Sequence, residues 1–485
     1  MSGENLLTVS PNTLYIYKLN EVHNQINCEP SIAMELCDYF TFEVPGARFM
    51  PAYRSKIWDG KIRLYSTHDQ ILYGGLLKHV LQFAKKRQYL VQIMTPEQFL
   101  PREKTNLPKL NLPFEPRDYQ LDAVEHAITN EKCILLSPTA SGKSLIIYYL
   151  IRYYEDLKSL IVVPTTSLVE QLFKDFQDYG FDSETHCHRI YSGKDKVTDK
   201  RIVITTWQSI YKMPKKFYED YKVVIGDEAH GFKAKSLTDI MTNLTDCPIR
   251  VGTTGTLDGT KTHKYVLEGL FGPAYEVITT KKLMDDEHLA QLKIHCIVLN
   301  YSENIRKEMK AATYQQEIDY LVSNQKRNSF ITKMVSRLKG NTLILYQLVE
   351  KHGELLYQEL QELDKKVYFI HGGIKTDVRE AIRSSVEKDE NSIIVASFGT
   401  YSTGINIRNL HNVVFASPSK SRIRNLQSIG RGLRISDTKQ KANLFDISDD
   451  LSYKSRNNYT LNHMLERLKI YNEQKFDYYI KKFTL

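Results

Sequence analysis

Cysteine is sparse: six occur in 485 residues, at positions 28, 37, 133, 187, 247 and 296, and no two have C-x-x-C spacing. That excludes a disulfide framework and points to a reducing compartment, so the expected location is the cytoplasm. His186-Cys187-His188 sets two imidazoles around a thiol. No second ligand group follows at finger spacing, so a structural role is expected there rather than zinc. No apolar stretch approaches the ~20 residues that span a bilayer. The first twenty residues lack the basic start and apolar run of a secretory signal. Short-period repeats and low-complexity tracts are missing too. Charge of one sign is only mildly in excess, with 66 Lys+Arg against 57 Asp+Glu and a net charge of +9. This surplus fits a partner with a phosphate backbone without demanding one. Tyrosine is what abounds. The 31 tyrosines suit core and interface positions first, and base stacking second.

The length calls for two to four domains. Residues 1–100 read as a small α/β unit. Within it, a strand is expected at 14–17 and helices at 32–40 and 74–83. A strand-turn-strand is expected around 57–62, turning on Asp59-Gly60. Residues 101–116 carry four prolines and read as a linker. From 117 to 282, apolar runs at 133–136, 159–163, 202–205, 223–225 and 249–252 alternate with helical segments. From 283 to 450 a second series appears at 342–345, 366–370, 392–395, 413–416 and 442–445. Such alternation predicts an α/β fold of two tandem lobes, each a parallel sheet with crossover helices. In residues 451–485, Leu461, Met464, Leu465 and Leu468 fall at helical spacing and predict a helical tail packed on the second lobe.

Three segments carry chemistry. The first is Ser137-Pro138-Thr139-Ala140-Ser141-Gly142-Lys143-Ser144, between an apolar strand and a helix. In that setting backbone amides at the helix N-terminus face phosphates, and Lys143 reaches the β/γ oxygens. Thr139, Ser141 and Gly142 line the loop, and the Ser144 hydroxyl suits Mg2+. Ser137 stands where the general pattern has its first glycine. The second is Asp227-Glu228-Ala229-His230, at the end of an apolar strand. A buried acidic pair is expensive without a partner. Asp227 suits Mg2+ through water, and Glu228 suits orienting and deprotonating an attacking water. The third is Gln427-Ser428-Ile429-Gly430-Arg431-Gly432-Leu433-Arg434. On a helix, Arg431 and Arg434 would share one face and present two planar cations to a γ-phosphate. Alone, each segment has a plainer reading: a glycine-containing loop, an acidic strand end, a solvated basic face. Their order along one chain disfavours all three.

Together these segments resemble the superfamily 2 helicases, with a DEAH-type box, over residues 117 to 440. The resemblance implies RecA-like lobes, ATP and Mg2+ as cofactors, and a nucleic-acid partner. Arg117-Asp118-Tyr119-Gln120 resembles the family's adenine-recognition motif, with Gln120 reading the base. Pro164-Thr165-Thr166 and Thr206-Trp207-Gln208 resemble backbone-contacting motifs. Thr254-Gly255-Thr256 resembles the motif linking hydrolysis to strand grip. Ile370-His371-Gly372-Gly373, and Ala396-Ser397 through Gly404-Ile405-Asn406, resemble second-lobe motifs. They imply nucleic-acid contacts at His371, Gly372 and Ser397, and nucleotide contacts at Gly404 and Asn406. Two departures touch the nucleotide contacts: Thr139-Ala140 replaces the usual Thr-Gly, and Asn406 stands where Asp is common.

A closer resemblance, over nearly the whole chain, is to the UvsW-type helicases of T4-like bacteriophages. It implies a monomeric DNA motor in the host cytoplasm, acting on branched DNA by annealing, fork reversal and branch migration in recombination and repair. It also implies single-strand-binding or recombination proteins as partners. The motifs do not read the sugar, so an RNA helicase remains open, as does an ATP-gated duplex translocase or clamp without unwinding. In the N-terminal unit, Arg48, Arg54, Lys56, Lys61 and Arg63 interleave with Phe49, Tyr53, Trp58 and Tyr65. Arg54, Lys56 and Trp58 are candidate DNA contacts. The alternative is that these aromatics form the small unit's own core.

Overall fold

The computed structural model describes residues 10–99, 103, 106–404, 407–417, 419–434 and 441–485. The chain passes from one compact unit to a second between Val277 and Ile278.

The first unit begins with six short strands: β1 (Thr13–Lys18), β2 (His23–Asn27), β3 (Thr41–Glu43), β4 (Lys61–Arg63), β5 (Ile71–Tyr73) and β6 (Leu90–Ile93). Four of them form a sheet in the order β5-β2-β1-β6. Alternation in β1 sends Leu14 and Ile16 inward, against Ile32 and Leu36 of helix Pro30–Tyr39 and Val80 and Phe83 of helix Leu77–Arg87. The expected hairpin at Asp59-Gly60 is not there. β4 pairs with β3 across a long excursion, and no strand forms within residues 55–60. Gly60 does take a positive φ of 80°, but the Ile57-Trp58 side is no strand.

The first unit continues with a sheet of seven parallel strands. These are β7 (Lys132–Leu136), β8 (Ser159–Val163), β9 (Cys187–Ile190), β10 (Ile202–Thr206), β11 (Val223–Asp227), β12 (Ile249–Thr254) and β13 (Ala274–Glu276). Their order is β13-β7-β12-β11-β8-β10-β9. Helices cover both faces, so the central strands read as unbroken Val/Ile/Leu runs. Gly226 and Gly252 admit Phe271 against the sheet. An added Cβ would meet its ring at 2.7 Å and 3.2 Å respectively.

The small N-terminal sheet is seated on helix Lys261–Phe271 of this same unit. The Tyr265 ring stacks 4.3 Å from His79 and lies 4.9 Å from Phe42. His79 Nε2 bonds Glu268 Oε2 at 2.7 Å, and Lys132 Nζ bonds Glu21 Oε2 at 2.8 Å.

The second unit holds another seven-stranded parallel sheet. Its strands are β14 (Gln291–Asn300), β15 (Thr342–Tyr346), β16 (Val367–Ile370), β17 (Ile393–Ser397), β18 (Asn412–Phe415), β19 (Lys441–Asp450) and β20 (Tyr478–Thr484). Their order is β16-β17-β15-β18-β19-β14-β20. The two seven-stranded sheets are the RecA-like lobes that the sequence predicts. The tail differs in part. Helix Tyr459–Glu473 is present and buries Met464, but Leu465 points outward and Arg467 points in. Arg467 makes two bonds to the Asp446 carboxylate, at 2.8 and 2.7 Å. The chain then returns as β20 along β14. A second buried pair, Arg327 and Asp449, bonds at 2.9 and 3.0 Å.

Candidate ATP and nucleic-acid sites

Parallel strands bring the loops at their C-terminal ends to one edge of a sheet, where α/β folds bind ligands. In the first lobe that edge collects the phosphate loop after β7, the acidic segment after β11 and the threonines ending β12. Helix Lys143–Tyr153 starts directly after Gly142, which has a φ of 83°. Ala140 also lies in left-handed backbone, at φ 67°. An L-residue is strained there, and the usual glycine would not be. Ser141 Oγ donates to the Pro138 carbonyl at 2.6 Å and closes the turn. Thr139 lies in the same loop, half-buried. Ser137 is fully buried, and its N–H donates to the Thr254 carbonyl at 2.8 Å, tying the loop to β12.

Lys143 Nζ lies 3.2 Å from Glu228 Oε1. Glu228 Oε2 in turn lies 3.2 Å from His230 Nδ1, which also meets Thr254 Oγ1 at 3.0 Å. Thr253 Oγ1 donates to Asp227 Oδ1 at 2.8 Å. Burial acts to raise the Glu228 carboxyl, but Lys143 and His230 outweigh it and hold the group well below the usual glutamate range. Burial pushes the neighbouring Asp227 up, against the pull of Lys143. Two carboxyls thus share one ammonium, a charge balance that leaves room for a further cation. Ser144 Oγ bonds the Tyr179 hydroxyl at 2.8 Å. His230, Thr253 and Tyr179 are functional neighbours to which the sequence alone assigned no role. The DEAH lettering and the strand-end position of Thr253 were the available signals.

Gln120 is buried and accepts the Arg117 N–H at 2.9 Å, capping helix Asp118–Asn130. Its amide packs so close to Gly142 that an added Cβ would sit 2.2 Å from Nε2. The expected adenine reader therefore also braces the phosphate loop. Arg117 Nη1 donates to the Tyr119 hydroxyl at 2.7 Å.

In the second lobe, helix Arg422–Gly432 carries Arg431 but ends before Arg434. The two arginines therefore do not share a helical face. The helix stops at Gly432, Leu433 forms a turn, and Arg434 follows outside any regular element. Arg431 Nη1 donates to the Tyr401 carbonyl at 2.6 Å. Burial draws the Arg434 guanidinium below its ordinary value. Gly404 closes helix Phe398–Gly404, and Asn406 lies outside the described residues.

The nucleic-acid candidates occupy the same edges. Pro164 and Thr165 follow β8, and Thr206 ends the adjacent β10. Gln208 Nε2 donates to the Pro164 carbonyl at 3.4 Å, joining the two loops. Thr165 caps helix Thr166–Asp178 through Leu168 N, and Thr206 Oγ1 bonds Ser209 Oγ at 2.9 Å. In the second lobe, His371 and Gly372 follow β16, and Ser397 ends the neighbouring β17. In the N-terminal sheet unit, Arg54 and Lys56 are exposed, and Trp58 Nε1 donates to the Lys61 carbonyl at 2.8 Å. Phe49 is 62% exposed, Tyr53 41% and Ile57 83%, whereas Tyr65 is buried in the core.

Residues 17–94 match the family described as DNA helicase UvsW, N-terminal. Residues 113–259 match the type III restriction enzyme res subunit, and residues 326–436 the helicase conserved C-terminal domain. The ATP-dependent DNA helicase uvsW of Enterobacteria phage T4 is 34% identical over 493 residues, spanning 96% of this chain and 98% of that protein. The chain belongs to the UvsW helicase family. The crystal structure of T4 UvsW matches with a TM-score of 0.50 at 32% identity, over 97% of this chain and 99% of that one. A fragment of a putative HsdR subunit of a type I restriction enzyme from Vibrio vulnificus YJ016 matches with a TM-score of 0.57, over 88% of this chain and 76% of that one. At 15% identity it shares the fold alone. As a UvsW-type protein, the chain is an ATP-hydrolysing DNA helicase of superfamily 2. Among the described residues no helix is long and apolar enough to cross a membrane.

Proposed function

We propose that this UvsW-type helicase remodels branched DNA, driving branch migration, fork reversal and annealing during recombination and repair. The observation that carries the reading is the N-terminal loop. It exposes Phe49, Tyr53 and Ile57 among Arg48, Arg54 and Lys56 instead of burying its aromatics in the core. Exposed rings can stack on unpaired bases while the cations track phosphates, a combination suited to a junction where duplex gives way to single strand.

The ATP step follows from the first-lobe geometry. Lys143, now paired with Glu228, turns to the β/γ-phosphates, and the amides of residues 141–144 cradle them. That leaves Glu228, ionised at neutral pH and steadied by His230, to orient the attacking water and take its proton. Ser144 and Asp227 would hold Mg2+, a hydroxyl and carboxylate set that a hard cation takes, and the ion would offset phosphate charge. Gln120 and Arg117 face the base. Gly404 and Asn406 are proposed nucleotide contacts from the second lobe. Arg431 and Arg434 are proposed to stabilise charge on the transferred phosphoryl group when the lobes close. Pro164, Thr165, Thr206, His371, Gly372 and Ser397 contact the strand backbone, and Arg54, Lys56 and Trp58 contact the branch. Phosphate contacts carry no sequence information, so selection rests on shape.

The test is steady-state ATPase with no nucleic acid, single-stranded DNA, forked DNA, four-way DNA and matched RNA. Strongest stimulation by forked or four-way DNA, with ATP-dependent rearrangement of the junction, is expected. Equal stimulation by unbranched DNA, or preference for RNA, overturns the branched-DNA reading. Lys143→Ala should abolish the stimulated rate, and a retained rate refutes the assigned ATP site.

A further inference from the structure

We propose that His263 is a positioning residue for ATP hydrolysis, holding His230 against Glu228. The proposal rests on Glu228 acting in the ATP site as described above. His263 lies in the first turn of helix Lys261–Phe271 and is buried. Neither ring nitrogen faces apolar surroundings. Nε2 donates to the His230 carbonyl at 2.8 Å. Nδ1 lies 2.9 Å from Asp258 Oδ1 and 3.0 Å from the Asp258 N–H. The His230 carbonyl can only accept, so the proton of that bond sits on Nε2, and Nδ1 is then free to accept the Asp258 N–H.

The same Asp258 carboxylate takes the Thr260 N–H at 2.8 Å, the Thr260 hydroxyl at 2.7 Å and Lys233 Nζ at 2.9 Å. The Ala229–Lys233 turn is thus pinned twice to one Asp258–His263 unit, through the carbonyl of His230 and the ammonium of Lys233. The turn needs pinning. It opens at Glu228, whose φ of 51° is a left-handed conformation strained for a non-glycine residue. With the His230 backbone fixed, its Nδ1 reaches Glu228 Oε2 and Thr254 Oγ1 together. The helix itself does not depend on His263 for its place. Val266, Leu267, Leu270 and Phe271 anchor it in the core under the sheet. A polar clamp on the acidic turn, rather than packing, is what His263 adds.

The experiment measures DNA-stimulated kcat, KM for ATP and melting temperature on the full chain. His263→Leu should lower kcat roughly tenfold or more, the scale of a small misplacement of a reacting group. KM should stay within about twofold of wild type. His263→Gln, whose amide can reach the His230 carbonyl, should restore most of kcat, and the shorter His263→Asn should not. In a His230→Ala background, His263→Leu should have little further effect on kcat, because its target side chain is gone. Unchanged kcat in His263→Leu overturns the proposal, and so does an equal loss in the His230→Ala background. If His263→Leu does not fold, the Gln and Asn variants decide, and equal kcat in those two overturns it. Glu228→Gln is assayed alongside. Full turnover there would sink the reading of Glu228 itself. An inactive Glu228→Gln with an unaffected His263→Leu would sink this proposal alone.

Discussion

Replacing Glu228 by glutamine changes one oxygen to an amide and tests the centre of the ATP site. In the wild-type chain one carboxylate oxygen faces Lys143 Nζ and the other faces His230 Nδ1, each at 3.2 Å. Glutamine offers a single acceptor to these two donors. Either Lys143 or His230 then faces an NH2 group, or His230 changes tautomer. The unsatisfied donor costs about 1–3 kcal/mol if nothing relaxes. That loss appears as a modest fall in melting temperature. The larger effect is on turnover. A positioned general base contributes roughly 10²–10⁴-fold, equivalent to about 3–5 kcal/mol of barrier. ATP binding should persist, because Lys143, Gly142 and the loop amides are untouched. The assay pairs DNA-stimulated ATPase with equilibrium binding of a fluorescent ATP analogue. Turnover above about one tenth of wild type would refute the assignment of Glu228 as base. The pH dependence provides a second check. Because the folded carboxyl is held below its ordinary value of 4.5, it stays ionised down through that value. Its contribution is lost only as pH falls below the ordinary range, so kcat/KM for ATP, which reports the free protein in which Lys143 still faces Glu228, should show no acid limb from this group near pH 5–6.

Three further outcomes are expected. Arg54→Glu with Lys56→Glu should weaken DNA affinity and flatten its salt dependence by about two counterions, with melting unchanged; unaltered affinity removes the N-terminal loop from the DNA path. Asp446→Asn should destabilise the second lobe by about 3–5 kcal/mol, since it strands the buried Arg467 charge. Denaturant melts should show Asp446→Asn with Arg467→Met recovering much of that loss, and no recovery would mean the charge is not the cause. Gly142→Ala should raise KM for ATP and lower stability by about 1–3 kcal/mol, because its Cβ meets Gln120 and its φ is positive; a wild-type KM and melting curve would count against the bracing role of Gln120.

Much of the two lobes could be read from the sequence because their central strands are buried on both faces. Runs such as Leu160-Ile161-Val162-Val163 leave no other reading. The edge strand β16 was read correctly, but β14 inside the second sheet and three edge strands were not. β9 is mixed in polarity and β13 only three residues long, while β20, with Lys481 and Lys482, is largely exposed. The tail's helix was predicted correctly but its inward face was not, since a long cation such as Arg467 can be buried only when a distant carboxylate receives it. Asp59-Gly60 has the chemistry of a tight turn, and Gly60 does adopt positive φ. Pairing, however, is decided by β3, some way upstream. For the site, Lys143 and Glu228 could be placed by motif, and the structure sets them 3.2 Å apart. His263 could not be found that way, because its role depends on a backbone carbonyl that folding brings to it.

The second sheet has a consequence for the timing of synthesis. Strand β14 lies between β19 and β20, and His295 meets Asn443 and Tyr479 across separations of 148 and 184 residues. The second lobe therefore cannot close its sheet until nearly the whole of it has left the ribosome. At bacterial elongation rates this leaves β14 without neighbours for on the order of ten seconds or more after it is made. During that interval its apolar stretch Ile294–Leu299 offers unpaired backbone to any strand nearby, while the first lobe, complete at Val277, is free to fold. Nascent chains stalled after β14 but before β19 should accordingly be the ones most prone to aggregate or to recruit chaperones.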